Sequence, residues 1–512
     1  MKEIYKIILF LSLNFDLFAQ GYICAVGGGS EGYNDWSDAP YGWIVQKSDS
    51  GKIIIISDAD ATTWLPNYFI SLGADTAYNK TISSISSANL QSTYNELITA
   101  KAIFIRGGDQ WDYIRLWKGT KTDLAINYVF QNAGVIGGTS AGAAVLGDVD
   151  FSAKNGSAYP DEALQNPFYS KMQFEDNFLK LAPNVLFDTH FIERGRHGRL
   201  IAMLYNQHFS AGRELIGIGV DDKTAFCISP DGIGEVMGSG AVAIFRIDGE
   251  TILEPMDSGN YLIGGLKCDQ LTKGWKFDIK NNQIVFIPPS AKQVDIARSW
   301  QLPAANFWLT GSENISEQLG NNFPNFIMNN NTSFIAVISH PGYSSQLAPI
   351  IDYLSHINLI FEIVYLTNSN QNNSEVAQII SNATSFVFAG DSLSVLALLK
   401  DSTSLAGQSF KQKITTQKTP AFFFGKTGKL MSASYTDNLY TDVYASYRGR
   451  MTNNTGLNLF GDALLETSVF ADGDYYENKV SSVLWGMMRN RKRLGIYLHG
   501  DAMIVTDAVQ NY

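Results

Sequence analysis

Cysteine and histidine are scarce in this chain. Its three cysteines, Cys24, Cys227 and Cys268, form no CxxC pair, which excludes a disulfide framework and a zinc site built on thiolates. The six histidines include no HExxH, so no residue pattern asks for a metal, and none asks for an organic cofactor. Basic residues are also short: 38 Lys plus Arg stand against 49 Asp plus Glu, a net charge of −11. That balance leaves no basic face for a nucleic acid. Beyond the first twenty residues, no apolar run reaches the ~18–20 residues needed to cross a bilayer. What the chain does have is a 45% hydrophobic share with 17% charged residues over 512 positions. This is globular composition, enough for two to four domains at roughly 100–200 residues each.

Residues 1–20 read as a secretory signal. Lys2 and Lys6 give a positive start, Ile7–Leu13 an apolar stretch, and Phe18-Ala19-Gln20 a cleavage point. The expectation is a secreted or periplasmic protein. From residue 21, short apolar runs alternate with stretches long enough for crossover helices: 22–26, 52–57, 102–105, 134–136 and 215–220. Runs of this length read as buried parallel strands, so the fold class is α/β with helices on both faces of the sheet. Residues from about 233 resemble short strands joined by Asp-Gly and Asn-Asn turns, a β-rich extension of a first domain spanning 21–300. Pro303 and an Asn-rich tract ending at Asn331 mark 301–332 as a linker. The α/β alternation then resumes over 333–512.

The strongest local signal is Gly138-Thr139-Ser140-Ala141-Gly142, which follows an apolar run and opens an Ala-rich helix. In a strand–turn–helix setting, such a serine is held on a tight turn with its hydroxyl exposed. A serine nucleophile needs a base. The nearest downstream histidine is His190, after the apolar run Val185–Phe187, at a strand end where catalytic groups of open α/β sheets collect. His197 reads as a solvated helix residue. Asp221 and Asp222, just past another strand, could each orient the imidazole. Arg194, Arg196 and Arg199 make a dense basic cluster, either forks for an acidic substrate or a solvated helix face. Arg106-Gly107-Gly108-Asp109-Gln110 ends a strand and could bring backbone N–H groups to an oxyanion. Gly27-Gly28-Gly29-Ser30-Glu31-Gly32 matches a dinucleotide fingerprint, but no helix start follows, so a phosphate would lack its N-terminal donors.

With these segments in one order, the chain resembles the cyanophycinase and aspartyl-dipeptidase family of serine peptidases. The matching segments are VGGGSEG, FIRGGDQ, GGTSAGA, DTHFIERGRHGRL and GIGVDDKTA, spanning residues 22 to about 230. The resemblance implies a three-layer fold like the class I glutamine amidotransferases, flavodoxin-like in its parallel sheet, with serine in place of their cysteine. It puts the nucleophile on Ser140, the base on His190 and the acid on Asp222, with N–H groups of Gly108 and Ala141 at the oxyanion. It places Gln110, Asp188, Thr189, Arg194, Arg196 and Arg199 around a β-aspartyl-arginine unit. Two positions depart from the family: Thr189 stands where cyanophycinases carry glutamine, and Asp222 where a glutamate is usual.

The function implied is an exported serine exopeptidase acting on cyanophycin or aspartyl peptides through an acyl-enzyme on Ser140, with no cofactor. Two rivals stand beside it. One is a non-catalytic peptide-binding or surface protein that keeps the scaffold. The other is an α/β-hydrolase esterase, disfavoured by the order of the three residues and the lack of an HGGG-type loop. Residues 333–512 read as a degenerate second copy of the catalytic fold, packed on the first half in place of a partner subunit, with higher oligomers open. Ser385–Asp391 echoes Ile103–Asp109, Lys426 stands for Ser140, Gly428 for Gly142 and Gly500 for Asp222. Asp472 and Asp474 stand for Asp188 and His190.

Overall fold

The computed structural model describes residues 21–506 apart from 257–259, 294–305, 313, 391, 439–441, 443–444, 446–447, 461–462, 468–477 and 501. The candidate signal at 1–20, Asp472 and Asp474 lie outside the described residues. The chain divides into two compact units, Met1–Phe191 with Arg196–Ala291, and Lys292–Tyr512 with Ile192–Gly195.

The first unit is built on β1 (Tyr22–Val26), β2 (Lys52–Ser57), β3 (Thr76–Thr81), β4 (Ala102–Ile105) and β5 (Val135–Thr139). All five run parallel, in the order β3-β2-β4-β5-β1. Ile53 to Ile56 are fully buried without alternation, because helices cover both faces. One face packs on the helices Gln110–Trp117 and Lys121–Gln131, each started by a side chain that accepts a hydrogen bond from the first turn: Asp109 from Trp111 N–H, Thr120 from Thr122 N–H. The other packs on Asp38–Lys47 and Trp64–Ser71. This is a mixed α/β, mostly parallel, three-layer architecture.

Two further strands carry functional residues. β6 (Val185–Thr189) and β7 (Ile216–Val220) pair in parallel and form a smaller sheet with Ala241–Arg246 and Lys267–Thr272. β8 (Thr224–Ile228) returns antiparallel along β1, and Ile233–Gly238, Lys276–Asp278 and Gln283–Phe286 continue the large sheet outward. The β-rich stretch beyond 233 therefore extends both sheets and adds a separate hairpin of Ile252–Pro255 with Tyr261–Gly264.

The second unit contains β9 (Phe307–Thr310), β10 (Phe334–Ser339), β11 (Ile360–Tyr365), β12 (Ser385–Phe388) and β13 (Ala421–Phe423), followed by β14 (Ala463–Thr467), β15 (Leu494–Leu498) and β16 (Met503–Thr506). Its sheet runs β11-β10-β12-β13-β9-β16, parallel except for the last strand. The first unit has the same sequence of positions and directions in β3-β2-β4-β5-β1-β8. The parallel pair β14–β15 likewise repeats β6–β7.

The linker expected over 301–332 is corrected by this topology. Residues 307–329 hold β9 and the helices Ile315–Asn321 and Phe323–Asn329, with Phe307, Phe323 and Phe326 fully buried. The Asn and Pro residues that suggested a linker are helix punctuation. Asn314 caps one helix through its side chain, Pro324 opens the next, and Asn330 closes it.

The register corrects the matched positions of the second half by one residue. Ile103 and Ile105 face the same layer as Phe386 and Phe388, the side covered by the helices that follow each strand. Ile103 pairs with Ile136, and Phe386 with Ala421. Four residues on stand Ser140 and Gly425, both at positive φ, 53° and 48°. Gly425, not Lys426, therefore occupies the nucleophile position, and Thr427 rather than Gly428 takes the place of Gly142. With Gly495 opposite Leu464 as Gly217 is opposite Leu186, Glu466 has the place of Asp188.

Candidate active site

The turn after β5 is tight for reasons that its two glycines explain. A Cβ on Gly138 would stand 2.2 Å from the carbonyl oxygen of Gly142, and one on Gly142 2.2 Å from that of Ile105. Only bare backbone lets strand and helix cross so closely. Between them Ser140 takes φ 53°, ψ −119°, a conformation that a non-glycine residue adopts only when its surroundings enforce it. Ser140 N–H donates to Val26 O at 3.0 Å, and its own carbonyl accepts from Ala143 and Ala144. The side chain is thereby left at the sheet's C-terminal edge.

His190 follows β6 directly, also at positive φ, with its N–H donated to Gly27 O at 2.8 Å. Its Nε2 lies 2.7 Å from Ser140 Oγ and its Nδ1 2.5 Å from Asp222 Oδ1. A proton on Nδ1, given to the carboxylate, leaves Nε2 to accept the serine hydroxyl proton. Asp222 is the carboxylate that meets the imidazole. Asp221 is turned to the sheet, where its Oδ2 accepts Ala241 N–H at 2.8 Å. With both ring nitrogens of His190 engaged, a metal there would have to displace one of these contacts.

Gly28, from the motif that mimics a dinucleotide loop, forms the floor of the His–Asp pair. At φ 132°, a Cβ on it would stand 2.2 Å from His190 Cε1 and 2.6 Å from Asp222 Oδ1. Gly107 lies beside the nucleophile, where an added Cβ would be 3.4 Å from Ser140 Cβ. Its loop is pinned by the Tyr113 hydroxyl, which donates to the carbonyls of Arg106 and Gly107. Gly108 is the next residue of that loop, and Ala141 opens the helix after Ser140. Gln110 starts the helix Gln110–Trp117, and its Nε2 donates to Phe151 O at 3.3 Å. A cleft of about 440 Å³ opens over Ser140 and His190, lined also by Gly28, Glu31, Trp64 and Arg106. The second unit has a cleft of about 370 Å³ at the corresponding end of its own sheet, bordered by Gln346, Gly390, Phe424 and Lys426.

The basic cluster is divided, and most of it does not line the Ser140 cleft. Arg199 is buried and bidentate on Asp188, Nε to Oδ2 at 2.8 Å and Nη2 to Oδ1 at 2.5 Å. Its Nη1 donates to Ser157 and to Ala158 O. Arg196, also buried, donates to Thr189 O at 2.8 Å and reaches Asp188 at 3.5 Å. Burial alone would raise the Asp188 carboxyl, but the Arg199 charge and hydrogen bonds outweigh it and hold it below its ordinary range. Thr189 is buried in the same strand end. Asp188, Thr189, Arg196 and Arg199 thus sit in one buried network at the segment that presents His190, whereas the resemblance implied a place around the substrate. Arg194 is half-exposed in the turn before the helix His197–Ala211.

His197, expected in solvent, is buried against Phe191 and Phe245. Desolvation pushes its pKa down to about 4. The unfolded chain takes up that proton near 6.5, so His197 contributes stability that is complete above pH 6.5 and lost as pH falls towards 4. At 1.36 kcal/mol per pKa unit, the loss is on the order of 3 kcal/mol. Unfolding midpoints in denaturant should fall across that window, and His197→Phe should flatten the fall. An unchanged pH profile in that variant would show that other groups cause the loss.

Arg106 is the residue that sequence reasoning passed over. It sits inside a motif valued for its glycines, and nothing in the pattern says which way its side chain turns.

Part of the chain is similar to known peptidases. Residues 69–236 match the profile of Peptidase family S51. A cyanophycinase of Synechococcus elongatus is 30% identical over 202 residues, covering 36% of this chain and 56% of its own. A cyanophycinase of Geminocystis herdmanii is 34% identical over 152 residues, covering 30% and 50%. The chain thus spans about half the length of the curated relatives it matches. Among solved structures, a peptidase from an acI-B1 Actinobacterium aligns over 52% of this chain and all of its own, at 19% identity and a TM-score of 0.37.

Proposed function

We propose that this chain, which belongs through residues 69–236 to peptidase family S51 alongside the cyanophycinases, is a serine peptidase that cleaves aspartyl-type peptides. The observation that carries the reading is the continuous contact Ser140 Oγ–His190 Nε2–Asp222 Oδ1 at the floor of an open cleft. In the reaction, Ser140 Oγ attacks the scissile carbonyl as its proton passes to His190 Nε2. Asp222 holds the Nδ1–H tautomer and offsets the imidazolium charge. The oxyanion is met by backbone N–H groups of Ala141 and the Gly107–Gly108 peptide. His190 returns its proton to the leaving amine, then activates water against the acyl-enzyme, restoring Ser140. The first twenty residues, with Lys2 and Lys6 ahead of the apolar stretch Ile7–Leu13, support export, with the substrate outside the cytoplasm.

Mass analysis of products from the purified chain, given cyanophycin and Asp-X dipeptides separately, tests the substrate class. Release of amino acids from neither, by a protein whose Ser140 reacts with a fluorophosphonate, would move the activity to another peptide or ester. The acid is tested by two variants. Asp222→Asn should reduce kcat about 10³–10⁴-fold by favouring the wrong tautomer, with little change in KM. Asp221→Asn should instead lower thermal stability and leave kcat nearly unchanged, since its contact is with Ala241. The reverse pattern would exchange the two roles.

A further inference from the structure

We propose that Arg106 is a carboxylate-binding residue of the Ser140 cleft, recognising an acidic group next to the scissile carbonyl of the peptide. The inference rests on the reading of Ser140 as a peptidase nucleophile. Three observations meet at this residue. Arg106 lines the cleft together with Ser140 and His190, and it is the only arginine or lysine among the described residues that do so. Its neighbour Gly107 is in contact range of Ser140, so the guanidinium is anchored one residue from the nucleophile's wall. Its Nη1 is buried with no hydrogen-bond partner among the described residues.

The third observation separates Arg106 from the arginines that follow His190, Arg196 and Arg199. Nε, Nη1 and Nη2 of Arg199 all donate to protein acceptors, and Arg196 donates to Thr189 O and Asp188. The protein thus uses those side chains for its own structure. The backbone of Arg106 is equally committed, its N–H to Ile56 O and its carbonyl to the Tyr113 hydroxyl. The side chain is the part the fold leaves unmatched. Withdrawing a guanidinium N–H from water without a partner is costly, and an anion entering the cleft would relieve that cost.

The ligand chemistry follows from the fork. A planar guanidinium matches a carboxylate with two parallel hydrogen bonds, which a neutral amide cannot reproduce. Glu31, the acid among the described lining residues, accepts the Tyr41 hydroxyl and would repel a substrate carboxylate placed beside it. An acidic group is therefore favoured beside Arg106 and disfavoured beside Glu31. The carboxylate could be an aspartyl side chain before the scissile bond or the peptide's terminal carboxylate.

The full-length Ser140→Ala protein can be titrated calorimetrically with Asp-Leu, Asn-Leu and Asp-Leu-amide. The expected result is that removing one of the two carboxylates weakens binding about 10- to 100-fold, the size of a charge-assisted pair. Which peptide weakens identifies which carboxylate is read. In Ser140→Ala/Arg106→Gln, that discrimination should largely disappear, and Arg106→Lys should restore part of it by keeping the charge without the fork. Equal weakening of all three peptides by Arg106→Gln would make Arg106 structural and overturn the proposal. So would discrimination that survives the substitution, or the absence of binding to Ser140→Ala at millimolar peptide. Fluorophosphonate labelling of the Arg106→Gln single variant keeps the two readings apart. Normal labelling with lost discrimination supports the subsite, whereas a wild-type protein that is not labelled counts against the peptidase itself.

Discussion

Ser140→Ala should lose peptidase turnover by roughly 10⁴–10⁶-fold while keeping its fold and its affinity for peptide. The size of the loss follows from the chemistry. Without Oγ there is no acyl-enzyme, and His190 has no hydroxyl to deprotonate, so only the oxyanion donors and substrate positioning remain. Retention of the fold follows from the packing. The positive φ at Ser140 is imposed by the crossing of Gly138 and Gly142 and by the Ser140 N–H bond to Val26, not by the hydroxyl. Alanine fits that backbone without adding an atom. A fluorophosphonate should label the wild type at Ser140 and leave the variant unlabelled. Labelling of a different serine, or turnover within tenfold of wild type, would remove Ser140 from the mechanism.

Ser140 and His190 were legible because each sits in a short motif whose geometry is local. A glycine-flanked serine between an apolar run and an Ala-rich helix has the pattern of a tight strand–helix turn, and residues just past buried strands fall at one sheet edge. Choosing Asp222 over Asp221 was not open to residue reading alone, because adjacent residues point to opposite sides and either could have met His190. Resemblance named Asp222, and the contact with Nδ1 shows it facing the ring. The surroundings of Arg196 and Arg199 were not legible for a different reason. Sequence shows charge but not burial, and Arg199 spends its fork on Asp188, eleven positions earlier, where no helix-face spacing rule applies. His197 shows the same limit, since its partner Phe245 comes from the distant strand Ala241–Arg246. In the second half, strand–loop similarity located Ser385–Phe388 but slipped by one residue, and a one-residue slip exchanges the faces of a strand. Only the core sides of Phe386 and Phe388 reveal that Gly425 holds the elbow. Its backbone keeps the positive φ, with no side chain to attack a substrate.

The network around Asp188 separates a structural reading from a substrate-binding one by a large effect on stability. Asp188 and Arg199 are each almost wholly shielded, with side-chain exposures of 4%. Removing one member of such a pair leaves the other charged and buried, which costs about 3–5 kcal/mol. Asp188→Ala should therefore lower the unfolding midpoint of the first unit by roughly 6–20 °C, taking about 2–4 °C per kcal/mol for a unit of this size. A residue held out for substrate behaves otherwise: its loss raises KM for acidic peptides and leaves the midpoint nearly unchanged. The structural reading also predicts an indirect loss of turnover. Arg196 and Asp188 together hold the end of β6 through the Thr189 carbonyl and amide, and the next residue is His190. Even below the new midpoint, Asp188→Ala should lower kcat for acidic and neutral peptides alike, because the imidazole loses its fixed position against Ser140. Calorimetric unfolding and kcat measured on the same preparation decide the matter. An unshifted midpoint with a selective rise in KM would return Asp188 and its arginines to the substrate.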